Sequence, residues 1–230
     1  MRMLAFGDAD SRVWGVAWRG LVCVGAGETS QRRAARLEGA EETADWRLLG
    51  EGVELTASPV ADAVVQAEGF DQLCRIHGSF ELEGAVHTVH SLGRRGARAD
   101  GRLDSSESVR DVCAWFEPDA GLALVAARPQ GADGQEADLL VAAVLDLDGA
   151  AAVADPRLST TYGAAGRPAR AGLELWLSDG ENEFPVRAAG EALGASVAAS
   201  EDDLEVRAEL FRWHSRGREG AGVYLLAQRR

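Results

Sequence analysis

Residues 70–96 read FDQLCRIHGSFELEGAVHTVHSLGRRG and contain three of the four histidines of the chain. Two β-prone runs flank Glu83-Gly84, and a two-residue loop that ends in glycine favours a positive-φ turn matching the twist of paired strands. The stretch therefore predicts a β-hairpin. Its expected cross-strand pairs are Leu82 with Ala85, Phe80 with His87, and His77 with His90.

Side chains alternate across a strand, so the two faces of this hairpin differ in character. One face is apolar with a single imidazole and carries Ile76, Phe80, Leu82, His87 and Val89. Two interpretations of His87 are open. It is either a core histidine satisfied by a backbone partner, or the proton donor or acceptor of a ligand cavity lined by the apolar face.

The other face of the hairpin is polar and carries His77, Ser79, Glu81, Thr88 and His90. His77, His90 and Glu81 could in principle hold a metal ion. Two histidines across a hairpin without a clear third ligand are, however, more typical of a solvated face than of a zinc site. We therefore expect no metal site.

Composition restricts the class of protein. A chain of 230 residues with 46% hydrophobic residues can bury a substantial core, either as one large β domain or as two halves. The net charge of −13 argues against non-specific binding to nucleic acid or to an anionic membrane. No apolar run could span a bilayer, and residues 1–12 lack the apolar core of a secretory signal, so we expect a cytoplasmic protein.

Two residue types limit the chemistry. All 24 basic residues are arginines, and the absence of lysine excludes Schiff-base formation, pyridoxal phosphate attachment and a P-loop lysine. Cys23, Cys74 and Cys113 are widely spaced and odd in number, which offers neither a disulfide framework nor a metal knuckle. We expect them to be small buried residues, although a cysteine nucleophile with a histidine partner stays open.

A second hairpin is predicted over residues 109–129, with its turn at residues 117–121. A rival interpretation places Val109, Val112, Cys113 and Phe116 on one helical face. We favour strands, because the apolar run after the turn needs a partner. Asp111 and Trp115 would then share a face, and a carboxylic acid beside an indole would have a pKa raised by desolvation and could donate a proton.

The rest of the chain also indicates strands. Short apolar runs separated by turn residues recur at the spacing expected of sandwiches and barrels. Residues 28–45 are the exception, since they are charged and predict a short exposed helix ending near Gly39 or a solvated loop. Residues 184–200 predict a hairpin, and the shift of phase at Phe211 and Trp213 predicts a β-bulge in residues 204–215.

Three segments, at residues 74–96, 109–129 and 156–177, resemble the lipocalin-like proteins related to carotenoid 1,2-hydratase (hydroxyneurosporene synthase). The resemblance rests on strand order and glycine placement. Gly93, Arg95 and Gly96 match the glycine-rich motif of that group. Its following His-x-Trp-Gly is replaced here by Ala-Arg-Ala-Asp at residues 97–100.

The resemblance implies an all-β fold of two lipocalin-like barrel or sandwich halves around an apolar pocket, with little helix. The halves would be residues 1–115 and 116–230, or one continuous domain. Relatives hydrate or cyclise isoprenoid or polyketide substrates with a proton donor in a dry pocket and aromatic faces that stabilise a cation. The candidates here are His87 and Asp111 for catalysis, and Phe80, Arg95, Trp115, Trp176 and Trp213 for ligand binding.

Three functions remain open from the sequence. The first is a cofactor-independent hydratase, cyclase or isomerase that acts on an apolar small molecule. The second is a non-catalytic carrier or sensor of such a molecule, which the altered motif favours. The third is a scaffold with a filled core and no ligand.

Overall fold

The computed structural model describes residues 2–39, 42–66, 69–98, 106–147, 151–177, 185–201 and 204–229. The first nine strands are β1 (Arg2–Asp8), β2 (Val13–Trp18), β3 (Leu21–Ala26), β4 (Thr29–Glu38), β5 (Trp46–Gly50), β6 (Val53–Pro59), β7 (Val64–Gln66), β8 (Gly69–Leu82) and β9 (Ala85–Arg98). The next eight are β10 (Ser106–Phe116), β11 (Ala120–Pro129), β12 (Leu139–Asp146), β13 (Ala151–Tyr162), β14 (Pro168–Leu177), β15 (Val186–Glu201), β16 (Leu204–Ser215) and β17 (Arg218–Arg229).

Helix in the described ranges is confined to two 3₁₀ turns, η1 (Gln135–Ala137) and η2 (Ala164–Gly166). No helix within those ranges has the length and apolar character needed to cross a membrane. The all-β class with little helix, predicted from sequence, is confirmed.

The strands form two barrels. In the first, the order is β6-β5-β4-β3-β2-β1-β9-β8, and β8 also pairs with β6, which closes a ring of eight strands while β7 extends the edge of β8. In the second, β10 to β17 pair in chain order, and the pairing of β10 with β17 closes the barrel. This up-and-down connectivity is the one found in lipocalins.

The change from one barrel to the other occurs between Arg98, the last residue of β9, and Ser106, the first of β10. Residue 115, where the sequence interpretation ended its first half, lies near the end of β10 and therefore inside the second barrel.

The predicted hairpin is confirmed in every pair. Strands β8 and β9 align Leu82 with Ala85, Phe80 with His87, and His77 with His90. Its turn has positive φ at both central residues, 51° at Glu83 and 80° at Gly84. The predicted faces are also confirmed, since Ile76, Phe80, Leu82 and Val89 are buried while His77, Glu81, Thr88 and His90 are exposed.

Both interiors are filled with buried apolar side chains, as an eight-stranded barrel allows. Inside the first barrel they include four large aromatics, namely Phe6, Trp46, Phe70 and Phe80. Inside the second barrel they include Phe116, Phe211, Trp213 and Tyr224, together with leucines and alanines.

A third apolar cluster joins the barrels. It combines outward-facing residues of the first barrel, such as Trp14 and Leu92, with outward-facing residues of the second, such as Cys113, Leu210 and Val223. Strands at this contact are therefore buried on both faces. This apolar cluster holds one barrel against the other.

Double-sided burial explains one wrong prediction. Strand β16 pairs with β17 without a register shift from Leu204 to Ser215. Leu210 faces the first barrel, whereas Phe211 and Trp213 fill the interior of the second. The sequence shows an apparent change of phase because this one regular strand carries apolar residues on both of its faces. The register shift of this region lies on β15, between Ala192 and Ser196.

Two other local predictions are wrong. Thr29–Glu38 form strand β4, which pairs with β3 and β5, rather than a helix or a solvated loop. No residue of this strand is fully buried, so its sequence lacks the apolar alternation that signals a strand. Residues 186–201 form the single long strand β15 instead of a hairpin, because β14 pairs along its first part and β16 along most of its length.

Candidate functional site

A cleft of about 530 Å³ opens where the barrels meet, at the end of the molecule that carries the β1–β2 turn. Strands β1 and β9 pair from Arg2 with Ala97 to Phe6 with Gly93 and then separate. Residues of the second barrel form the other side of the cleft. The lining residues are Gly7, Asp8, Ala9, Asp10, His90, Ser91, Leu92, Trp115, Glu117, Arg212, Glu219, Gly220 and Ala221.

The inner part of the cleft is lined by the apolar side chains of Trp115 and Leu92. Trp115 is 3% exposed, and its Nε1 donates to the Gly7 carbonyl oxygen at 2.9 Å, which fixes the indole between the barrels. Ser91 is 6% exposed, and its Oγ has no hydrogen-bond partner. Ser91 is the cross-strand partner of Ile76, so its side chain faces the interior of the first barrel rather than the cleft.

The outer part of the cleft is acidic and organised by Arg212 of β16. Its guanidinium pairs with Asp10 at 3.1 Å and with Glu219 at 3.1 Å, so it links the β1–β2 turn to the second barrel. The Nε of Arg212 is buried and lacks a hydrogen-bond partner. Glu117 adds a further carboxylate, which accepts two hydrogen bonds of 3.2 Å from the Arg75 guanidinium. Carboxylates thus outnumber guanidinium groups around the opening.

Asp111, predicted as a proton donor, lies outside the cleft in a buried ion-pair network between the barrels. Arg94 donates to Asp111 at 2.6 Å and to Asp71 at 2.7 Å, and Arg98 also pairs with Asp71. Burial raises the pKa of Asp111, and the nearby Asp71 adds to the rise in spite of Arg94. Burial would raise the pKa of Asp71 as well, but Arg94 and Arg98 hold it below its ordinary value.

His87 also lies outside the cleft, at the mouth of the first barrel. Its half-buried ring stacks on Phe80 with 5.3 Å between ring centroids. Phe80 in turn packs against Phe6 with centroids 6.4 Å apart. The structure therefore brings His87 together with Phe80, as predicted, but places Asp111 in a different environment.

The three tryptophans predicted to bind ligand are in three separate places. Trp115 lines the cleft. Trp176 is half-buried on the outer face of β14, where its Nε1 donates to Glu174 at 3.0 Å. Trp213 is fully buried inside the second barrel and stacks on Phe211 at 5.8 Å between centroids.

Arg95, the remaining predicted ligand-binding residue, is fully buried inside the first barrel. Its Nε donates to Gln72 at 2.7 Å, and its other nitrogens donate to the carbonyl oxygens of Glu42, Ala44 and Ala57. Its guanidinium lies 5.2 Å from the ring centroid of Trp46. These contacts attach the β4–β5 connection to the end of the barrel.

Sequence reasoning missed Arg212. No signal for it was available, because its partner Asp10 is at the other end of the chain and only barrel docking brings the two together. No group of three or more potential metal ligands occurs among the residues that the structure describes.

The three cysteines are buried, as predicted. Burial raises the pKa of Cys23 to about 11 and the pKa values of Cys74 and Cys113 to about 12. Because the thiolate is the reactive form, we expect the native protein at pH 8 to resist Ellman's reagent and all three thiols to react after unfolding in guanidinium. A thiol of the native protein that reacts as fast as free cysteine would contradict this expectation and revive the nucleophile hypothesis.

Comparisons with known proteins support the fold. No protein-family model matches the chain, and no curated protein sequence matches it. The crystal structure of a protein provisionally named AttH from Nitrosomonas europaea is similar over 99% of this chain and 91% of that chain, with a TM-score of 0.59 and 10% sequence identity. A protein of unknown function in the DUF3598 family from Nostoc punctiforme aligns at 10% identity over 99% of this chain and 95% of its own, but its TM-score of 0.19 carries no argument. At these identities the AttH comparison establishes a shared fold alone.

Proposed function

We propose that this protein binds an uncharged apolar small molecule in the cleft between its barrels, as a carrier or sensor of that molecule. The observation that carries the proposal is a cleft of about 530 Å³ between the barrels, lined by the buried Trp115 indole and by Arg212, whose Nε has no hydrogen-bond partner. Ligand sites are commonly clefts of this size at domain interfaces, with few polar groups among apolar ones.

The polar groups of the cleft define the ligand. The Arg212 Nε lacks a hydrogen-bond partner and can donate to an oxygen acceptor. The acidic surroundings formed by Asp8, Glu117 and Glu219 disfavour an anion. An apolar body with a carbonyl or hydroxyl oxygen fits these requirements, and isoprenoid and polyketide-like molecules have this chemistry.

Catalysis stays a prediction. A hydratase, cyclase or isomerase of this kind needs its proton donor next to the substrate. Neither His87 nor Asp111 lines the cleft, and Asp111 is engaged by Arg94. We therefore favour binding over turnover. Turnover that His87→Ala abolishes while ligand affinity is unchanged would establish the catalytic alternative.

The hairpin offers a matched pair of variants for testing the cleft. His77 and His90 are cross-strand partners, and both are exposed on the outer face of the first barrel. Of the two, His90 lines the cleft. We expect His90→Trp to raise the Kd for β-ionone, an uncharged isoprenoid ketone, at least about tenfold, because the indole occupies ligand volume.

Isothermal titration calorimetry measures both affinities without depending on the added tryptophan. His77→Trp makes the same chemical change away from the cleft and should bind β-ionone as the wild type does. Equal losses in the two variants, or no binding of β-ionone by the wild type, would contradict the proposal.

A further inference from the structure

The wall of the second barrel has a seam between β12 and β13. Within the described ranges these two strands pair only through Ala143 and Val144 of β12, although β12 is paired with β11 along its whole length. On its other side, β13 pairs with β14 from Val153 to Tyr162. The edge of β13 that faces β12 is therefore unpaired over the same described residues. An unpaired edge presents rows of backbone N–H and C=O groups and is a template for pairing with another strand.

Side chains along this edge are accessible. Arg157, Ser159 and Thr161 are exposed on the outer face of β13. On the inner face, Leu158 packs against the barrel core but is only half-buried, and Leu140 across the seam is half-buried as well. A further strand beside β13 would therefore bury apolar surface in addition to bonding the backbone.

Pro156 determines which backbone groups of β13 face the open edge. A proline has no N–H, and in a paired strand it is tolerated where its nitrogen points away from the neighbouring strand. Pro156 is part of the regular ladder to β14, opposite Leu175, so its nitrogen points toward the open edge. Backbone groups alternate between the two edges of a strand. Leu158, Thr160 and Tyr162 consequently direct their N–H and C=O groups to the open edge.

The segment Pro156–Tyr162 is complementary to itself in an antiparallel pairing. With Ser159 on a two-fold axis, Leu158 of one copy lies opposite Thr160 of the other, and both such pairs exchange their N–H···O bonds in full. At each end, the Tyr162 N–H meets the Pro156 carbonyl oxygen. The missing N–H of proline therefore falls at the two ends of the ladder, where its loss matters least.

The charges of this edge also permit two copies to meet. Arg157 is the only charged residue of Pro156–Tyr162, and in this register it lies opposite the uncharged Thr161. Asp155, which precedes the segment, pairs with Arg157 of its own strand at 2.6 Å. The edge is thus close to neutral in a chain whose net charge is −13. Like charges directly opposite each other destabilise a strand pair, and this register contains none.

We propose that two copies of this protein associate through β13, by antiparallel pairing of Pro156–Tyr162 about Ser159, so that one sheet runs through both second barrels. Each copy supplies the strand that the edge of the other lacks. The inference is independent of the ligand cleft, because none of the residues that line the cleft lies on β13.

Analytical ultracentrifugation over a range of protein concentrations tests the proposal. We expect a monomer–dimer equilibrium with a Kd on the order of micromolar, since a pairing of two short edges buries less surface than a permanent dimer does. Thr161→Glu should lower this Kd about fivefold, because each new carboxylate faces Arg157 of the other copy. Thr161→Arg should raise the Kd about fivefold, because it places two guanidinium groups opposite each other.

Thr88→Glu and Thr88→Arg are the matched controls. Thr88 is exposed on the first barrel, and the two variants change the net charge as the Thr161 variants do. In an acidic protein, net charge alone makes glutamate weaken self-association and arginine strengthen it. The proposed register reverses that order at Thr161 and not at Thr88. A wild type that stays monomeric up to about 1 mM, or Thr161 variants that follow the order of the Thr88 variants, would overturn the proposal.

Discussion

Arg94→Met is expected to lower the free energy of unfolding by about 3–5 kcal/mol, the usual cost of removing one partner from a buried ion pair. Arg94 is 2% exposed and bonds both Asp71 and Asp111. Without it, two carboxylates are left buried between the barrels with less compensation. Urea unfolding followed by tryptophan fluorescence measures the loss.

The pH dependence of this loss has a defined sign. In the variant, the pKa of Asp111, which burial already raises, should rise further, and the pKa of Asp71 should lose the lowering that Arg94 contributes and keep that of Arg98. Folding then favours the protonated carboxyl group of Asp111, so stability is present at acidic pH and lost as the pH rises through the folded-state pKa. The deficit relative to wild type should therefore shrink as the pH falls.

Arg75→Met is the matched control for this prediction. Arg75 also pairs with a carboxylate, but its side chain is 33% exposed and that of Glu117 is 56% exposed. Exposed pairs contribute at most about 1 kcal/mol. Similar losses in Arg75→Met and Arg94→Met would show that the network between the barrels is solvated and would contradict its assigned position.

Trp213→Ala is expected to cost about 3–5 kcal/mol, as is typical for truncating a large buried aromatic. Trp213 is fully buried and lies flat over Gly190, where an added Cβ would come within 2.7 Å of the indole. Phe211 stacks on it. The truncation would leave a cavity in the barrel interior, and thermal unfolding would report it.

Trp176→Ala makes the same change on the outer face of β14 and should cost about 1 kcal/mol, since a half-buried side chain loses less apolar burial. Equal losses at the two positions would contradict the assignment of Trp213 to the barrel interior. A Trp213→Ala variant of unchanged stability that had lost ligand affinity would instead support the ligand-binding role predicted from sequence.

Local sequence signals sufficed for much of the fold. The Glu83-Gly84 turn and the alternation around it determined the register of the β8–β9 hairpin, because both are properties of neighbouring residues. The shared face of Asp111 and Trp115 followed in the same way. Strand β16 shows the limit of local signals. Its second apolar face is explained only by the packing of the other barrel against it, which local sequence does not indicate.

The candidate site was less predictable for the same reason. Asp111 has a raised pKa, as expected beside an indole, but its partner Arg94 comes from the other barrel and engages it in a structural ion pair. Arg212 pairs with Asp10, which lies near the opposite end of the sequence. Pairs of this kind depend on docking of the barrels, which periodicity and spacing do not encode.

A crystal structure of the protein with bound β-ionone tests the central claim most directly. The account predicts the ketone in the cleft where β1 and β9 separate, with its ring against Trp115 and its oxygen within hydrogen-bond distance of the Arg212 Nε. β-Ionone bound elsewhere, with the cleft between the barrels free of it, would contradict the account.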